Sequence, residues 1–264
     1  MTFTTLSDST RIRTCRRGRG PRTFVLVHGW KQSHRLFDRV TAELEKDSVV
    51  LAFDQRGMGE SDKPDCAYDF DTMAQDLLEL LELHDLYDCC VLGWSMGCTT
   101  TLSAAMKDAS RIGRIVLMNG PLRLTRTPDF PHALSEAEFT RYVDDLERTW
   151  PRDEPRFFRE SLLPENQHLA TLLEIVGLQT PLDVALALVR QQAMLDMRDA
   201  VRSLGIPIRA AYSTRDPYWP LALGEWIAEE AQLGSLTPLH ASAHCAPLEE
   251  PMRVSAMLRE FAHA

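Results

Sequence analysis

Residues Gly93-Trp94-Ser95-Met96-Gly97 constrain this chain more than any other stretch. They follow the apolar run Cys89-Cys90-Val91-Leu92 and lead into Cys98–Met106, whose composition suits a helix. A strand, a tight turn and a helix wrapped around one serine form a nucleophile elbow. Glycine is needed on both flanks because the serine backbone is strained and neighbouring chains pass close by, and only a residue without a Cβ tolerates both. A serine held there points its hydroxyl out of the sheet at a helix N-terminus. The N–H of Met96 and the helix dipole can then stabilise a developing oxyanion.

A serine is a poor nucleophile at neutral pH unless a histidine takes its proton, and the histidine needs an acid to hold its tautomer. The downstream sequence offers both. Ser235–His240 reads as a short strand, and His244 lies in the loop after it. Ile206–Ser213 reads as another strand, whose exit carries Asp216 in Thr214-Arg215-Asp216-Pro217-Tyr218-Trp219-Pro220. The expected constellation is Ser95, Asp216 and His244, in that chain order, each on a loop after a strand. Taken singly, His244 is also readable as an ordinary loop histidine and Asp216 as a turn-forming Asp-Pro; the shared order favours chemistry.

The second oxyanion donor is sought at the end of an early buried-type strand, Thr23-Phe24-Val25-Leu26-Val27-His28-Gly29-Trp30. A His-Gly turn there lets the next backbone N–H face the nucleophile, which selects Trp30. His28 is expected to brace this turn by hydrogen bonding rather than to act as a base. His34 is expected either to touch substrate or to cap the helix starting near Arg35. Trp94, Tyr218 and Trp219, with Trp30, are the other candidate substrate contacts, and they suit an apolar or aromatic ligand; packing alone also accounts for some of these rings.

Strands and helices alternate along the first half of the chain. An N-terminal hairpin (Thr2–Ser7, Arg11–Cys15) is followed by strand Phe24–Val27, helix Arg35–Glu45, strand Val49–Phe53, helix Thr72–Leu86, strand Cys89–Leu92, helix Met96–Lys107 and strand Arg114–Met118. Such alternation implies a mostly parallel sheet covered on both faces, with ligands bound at the carboxyl ends of its strands. Between Asn119 and about Met197 the alternation stops. Helices are expected over Ser135–Trp150, Arg156–Leu163, Gln167–Leu178 and Leu182–Leu195, with Pro151, Pro155, Pro164 and Pro181 between them. The expected organisation is a core of residues 1–120 and 198–264 and a helical cap insertion of residues 121–197 that excludes water and sets specificity.

Several of these stretches together resemble the α/β-hydrolase superfamily, on the side of its haloperoxidase-like and esterase members. They are His28-Gly29-Trp30, the segment Phe53–Pro64 (Phe-Asp-Gln-Arg-Gly-Met-Gly-Glu-Ser-Asp-Lys-Pro), the run Tyr68–Leu77 and the elbow itself. The resemblance covers residue 23 to about 120 and resumes from about 200. It implies an α/β fold with a mostly parallel eight-stranded sheet, helices on both faces and an inserted helical cap. The chain departs from the family pattern at Cys98, where glycine is usual, and at Ala246, where proline is usual two residues after the histidine. Both departures bear on the floor of the expected pocket.

Net charge is −9, from 29 Lys and Arg against 38 Asp and Glu, which disfavours a nucleic-acid partner. The one basic stretch, Arg11 to Arg22, alternates with Ile12 and Thr14 and ends in a Gly-Arg-Gly-Pro turn, as in an arginine-decorated hairpin edge. Six cysteines show neither metal-ligand spacing nor a disulfide framework, and no apolar run approaches the roughly 20 residues that span a bilayer. The expectation is a cytoplasmic protein, monomeric or homodimeric, that acts on a small molecule without cofactor, metal, membrane or nucleic acid.

Two activities fit these residues. In the first, a serine hydrolase cleaves an ester, thioester or activated C–C acyl bond through Ser95, His244 and Asp216, with Trp30 and Met96 N–H groups as oxyanion hole. The resemblance adds perhydrolysis as a side reaction of the same acyl-enzyme. In the second, the chain is similar to cofactor-free dioxygenases that open 3-hydroxy-4-quinolone rings, with His244 as general base. Gly29-Trp30, Ser33-His34-Arg35 and Pro128-Asp129-Phe130 carry that similarity. The acid of that group follows the strand after the elbow helix, where this chain has Leu117-Met118-Asn119-Gly120 and no carboxylate, and a further family histidine falls at Gln32. A third reading is a non-catalytic receptor on the same fold, against which the intact triad argues. Ser95 excludes relatives that use aspartate as nucleophile.

Overall fold

A computed structural model describes residues 2–263; the two ends of the expected core, Met1 and Ala264, lie outside the described residues. An antiparallel ribbon of β1 (Thr2–Thr5) and β2 (Arg11–Arg17) opens the chain, followed by β3 (Thr23–Val27), α1 (Asp38–Leu44), β4 (Val49–Phe53), α2 (Phe70–Leu83), β5 (Cys89–Trp94), α3 (Gly97–Lys107) and β6 (Ile112–Met118). Then come α4 (Glu136–Thr149), α5 (Glu154–Glu160), α6 (Ala170–Gly177), α7 (Leu182–Ala193) and α8 (Arg198–Ser203) with no strand between them. The sheet resumes with β7 (Ile208–Ser213), α9 (Leu221–Glu230) and β8 (Gly234–Leu239), and the chain closes with α10 (Ala246–Glu249) and α11 (Pro251–His263). One eight-stranded sheet results, in the order β1-β2-β4-β3-β5-β6-β7-β8; β1 and β2 pair antiparallel, and β3 to β8 run parallel.

The parallel strands are apolar on both faces, because helices cover both. In β3, Val25 and Val27 face the core under α2, α3, α8 and α9, while Phe24 and Leu26 face the core under α1 and α11. In β5 the adjacent Cys89 and Cys90 part to opposite faces in the same way. All six cysteines are free thiols, and burial pushes those of Cys89 and Cys90 up to about 12, so they pack as small apolar residues.

Local chemistry moves several helix ends from where periodicity puts them. The first expected helix splits into a 3-10 turn, His34–Phe37, and α1, because Ser33 caps the turn by accepting the N–H of Arg35. Asp69 accepts the Thr72 N–H and so starts α2 two residues early. α5 starts at Glu154 and includes Pro155, since proline is tolerated in a first turn where its missing N–H has no partner to lose. The segment Pro164–Leu169 is a 3-10 turn, and only Ala170–Gly177 is α-helical. Sequence reading did not single out α8 or α9, although a parallel β7–β8 pair needs a crossover such as α9.

The arginines of residues 11–22 lie on β2 and the turn after it, but β2 is paired on both sides and β1 forms the edge. Arg11 pairs with Asp62, Arg13 with Glu60 and Arg17 with Glu45. No single helix among the described residues is long and apolar enough to cross a membrane.

One ion pair ties this sheet end to α2. Arg56 donates two hydrogen bonds to Asp76, at 2.7 and 2.8 Å, and a third to Thr10, with both charged side chains buried. The bidentate carboxylate holds the guanidinium charged. Burial raises the Asp76 pKa and Arg56 only partly offsets it. Arg56 also pairs with Asp8 at 2.7 Å, so it is loss of the arginine that strands a charge, the buried Asp76 carboxylate. Arg56→Met is expected to lower the unfolding free energy by about 3–5 kcal/mol in urea titration.

Candidate active site

Ser95 sits between β5 and α3 with φ of +55°, a left-handed backbone that costs a residue with a Cβ about 1–2 kcal/mol. Crowding explains both glycines. A Cβ on Gly93 would stand 2.5 Å from the Gly97 carbonyl oxygen, and one on Gly97 would strike the carbonyl oxygen of Val27. Ser95 Oγ lies 3.0 Å from His244 Nε2, and His244 Nδ1 lies 2.9 Å from Asp216 Oδ2. Because an ionised carboxylate only accepts, Nδ1 carries the proton and Nε2 offers its lone pair to the serine. The Asp216 side chain is fully buried, and its other oxygen accepts the N–H groups of Tyr218 and Trp219. The three residues come from loops after β5, β7 and β8, as the chain order implies.

The loop carrying His244 is fixed from below. Its carbonyl accepts Trp94 Nε1–H at 2.8 Å and Asn119 Nδ2–H at 3.0 Å, and Asn119 also reaches Ala243 O and Ser213 Oγ. Asn119 thus occupies the position after β6 where the dioxygenase similarity asks for an acid, and its amide holds backbone rather than the imidazole. From above, the His244 N–H donates to the carbonyl of Ser161, at the end of α5.

Two expected substrate contacts prove to be supports. Trp94 is 3 % exposed, donates its N–H to the histidine loop and packs its ring, tilted, 5.3 Å from the imidazole, outside the cavity lining. His34 is 1 % exposed and binds Asp54 Oδ1 through both its backbone N–H and Nδ1, so it reaches no cavity, and the cap of the following turn is Ser33. Burial alone would raise the Asp54 pKa, yet the His34 hydrogen bond and charge hold it low. Cys98 also lies beneath the elbow, donating to Gly93 O, and does not reach the cavity floor. Pro247, one position later than the family pattern, falls in the first turn of α10.

Trp30, Tyr218 and Trp219 do line the cavity, together with Met96, Ser95 and His244. Gly29 explains the closeness of the early turn, since a Cβ there would be 2.8 Å from the Ser95 Cβ. The turn closes through Gln32 N–H to Gly29 O, with Lys31 at φ +54° as its third residue. His28 braces it. Gln55 N–H donates to His28 Nε2, which leaves Nδ1–H to donate to Gly29 O, and Gln55 in turn is held by Thr100 of α3. The cavity measures about 300 Å³ and is mostly apolar. Phe139 and Tyr142 of α4, Phe157 of α5 and Val189 of α7 roof it. Its lining includes no lysine or arginine, and its one carboxylate, Glu138, closes the capping box of α4 with Ser135.

A model of the alpha/beta hydrolase fold family matches residues 22–199. The chain belongs to the α/β-hydrolase fold family. A pimeloyl-[acyl-carrier protein] methyl ester esterase of Neisseria meningitidis is 24 % identical over 240 residues, 89 % of this chain and 91 % of that one. Among solved structures, an esterase from Exiguobacterium antarcticum superposes with a TM-score of 0.92 at 21 % identity, covering 100 % of this chain and 99 % of that one. A bromoperoxidase from Bacillus anthracis superposes at 0.90 with 20 % identity, covering 97 % and 96 %. The hydrolase thus has both esterase and haloperoxidase relatives.

Sequence reasoning passed over Asn119 as a support, Ser161, Lys31, and the aromatic roof of α4 and α5. Phe139, Tyr142 and Phe157 carry no local mark that separates a cavity wall from ordinary packing. In the hydrolase, burial drives the His28 pKa down from 6.5 to about 4. The unfolded chain therefore binds one proton more than the folded one in that window, and stability falls as pH drops from 6.5 towards 4, by about 3 kcal/mol from this group. Urea unfolding between pH 4 and 7 should show a shallower acid slope for His28→Gln than for the wild type.

Proposed function

We propose that this hydrolase is a serine esterase acting on a small neutral substrate with an apolar or aromatic acyl group. The observation that carries the reading is the Ser95–His244–Asp216 hydrogen-bond chain, at 3.0 and 2.9 Å, on a left-handed serine at a helix N-terminus. In this reading Ser95 Oγ attacks the ester carbonyl while His244 Nε2 takes its proton. Asp216 orients the ring and stabilises the imidazolium, and the Trp30 and Met96 N–H groups hold the oxyanion. His244 returns the proton to the departing alcohol, leaving an acyl-enzyme. Water, deprotonated by the same histidine, then releases the acid.

The residue 121–197 insertion serves as the cap, and Trp30, Tyr218 and Trp219 serve as substrate contacts. The lining has no cation to pair with a free carboxylate, so an acidic substrate group would pay its desolvation uncompensated. The similarity to an enzyme named for cleaving a methyl ester of an acyl chain supports the same bond class. Free cysteines in a buried strand suit a reducing cytoplasm.

Intact mass after brief fluorophosphonate treatment tests the reading. One adduct is expected on the wild type and none on Ser95→Ala, while Asp216→Asn should lower kcat for 4-nitrophenyl esters about 10⁴-fold. Oxygen-dependent opening of a 3-hydroxy-4-quinolone that survives Ser95→Ala but not His244→Ala would overturn it in favour of oxygenation.

A further inference from the structure

Helix α5 touches the candidate machinery at both ends. At its start, Glu154 Oε2 accepts from Lys31 Nζ at 2.5 Å, with side chains 6 % and 1 % exposed. Lys31 is the residue after Trp30, and its ammonium lies over the Trp30 ring at 4.1 Å, the Phe157 ring at 4.9 Å and the Trp150 ring at 5.0 Å. At the other end, the Ser161 carbonyl accepts the His244 N–H at 3.1 Å, and the Ser161 hydroxyl bonds the Tyr218 hydroxyl at 3.0 Å. Tyr218 packs its ring 5.0 Å from the imidazole and gives its backbone N–H to Asp216. Between the two ends, Phe157 stacks on Tyr218 and meets Trp30 edge-on.

A buried lysine–glutamate pair is costly to desolvate, and apolar residues of the same volume often serve stability as well. Lys31 and Glu154 do not line the cavity, so substrate recognition does not account for them. What the pair does join is the turn and α5. Lys31 holds φ of +54°, a conformation that disfavours side chains, in the turn whose preceding residue is Trp30. An ammonium enclosed by rings and fastened to α5 anchors the turn that Gln32 N–H closes onto Gly29 O, and with it the Gly29–Trp30 peptide that carries the Trp30 N–H.

We propose that Lys31, Glu154 and Ser161 are positioning residues, and that α5 is a strut holding the Trp30 oxyanion donor and the His244 base at a fixed separation. The strut lies in the insertion but acts on the core. The role assigned to Trp30 and His244 rests on the esterase reading, whereas the strut itself is measurable without turnover.

The test uses Lys31→Met, Glu154→Gln, Ser161→Ala and the double variant Lys31→Met/Glu154→Leu, which removes both charges and keeps the volume if a single change leaves a misfolding charge. Two readouts are taken on variants with unchanged far-UV spectra: amide hydrogen exchange at Gln32, whose N–H closes the turn, and at His244, and kcat and KM for 4-nitrophenyl acetate, whose acetyl group is too small to need the cavity wall. Expected are faster exchange at Gln32 in the Lys31 and Glu154 variants, faster exchange at His244 in Ser161→Ala through loss of the hydroxyl bond to Tyr218, and a kcat loss of about 10–100-fold in the double variant with KM nearly constant. Unchanged exchange with wild-type kcat, or a change confined to KM, would overturn the strut. Altered exchange in the variants beside a wild type that shows no Ser95-dependent turnover would instead sink the esterase reading and leave the strut standing.

Discussion

Everything at the site depends on the missing Cβ atoms at Gly93 and Gly97. They let the Ser95 backbone turn left-handed while the carbonyls of Val27 and Gly97 pass within contact distance. Without that approach, α3 would stand away from β3, and the turn at Gly29 would lose its place against the serine. The strain at one residue is small beside the sheet and the two apolar layers that impose it. A local backbone cost of a kcal/mol or two persists because the surrounding packing over-determines it.

Around this point the core invests buried polar groups in holding loops rather than in chemistry. His28 and Gln55 fasten the first turn to α3, Asp54 grips His34, Arg56 pins α2, and Asn119 and Trp94 hold the carbonyl of His244. The segment Phe53–Pro64, which looks from sequence like a signature of the site, supplies three of these braces and no side chain to the cavity lining. Each brace is satisfied on nearly all its polar atoms, which is what makes a buried network rigid instead of costly.

The insertion between β6 and β7 does two things with one set of helices. Its aromatic side chains roof an apolar cavity of about 300 Å³, and α5 reaches past them to grip the loops below. A roof tied at both ends to the loops bearing Lys31 and His244 couples the cavity to the geometry of those loops. The reaction chemistry proposed for the hydrolase therefore has supports drawn from both the core and its insertion.

How much of this was legible follows from the range over which each signal acts. The elbow, the His-Gly turn, the alternation of strands and helices, and the order of Ser95, Asp216 and His244 depend on neighbours a few residues apart, and the chain displays them directly. Trp94 and His34 were read as substrate contacts because they flank the site in sequence, yet their hydrogen-bond partners lie 150 and 20 residues away and turn both side chains inward. Lys31 gave no signal, for a lysine beside a tryptophan is ordinary until Glu154, 123 residues later, is folded against it. By itself the sequence determined the fold class and singled out Ser95, Asp216 and His244 in their order along the chain, since backbone sterics and hydrophobic period are local properties. The tertiary structure alone decided which polar groups face the cavity and which brace it, because a buried donor or charge takes whatever partner packing brings within about 3 Å, and that partner is not encoded nearby.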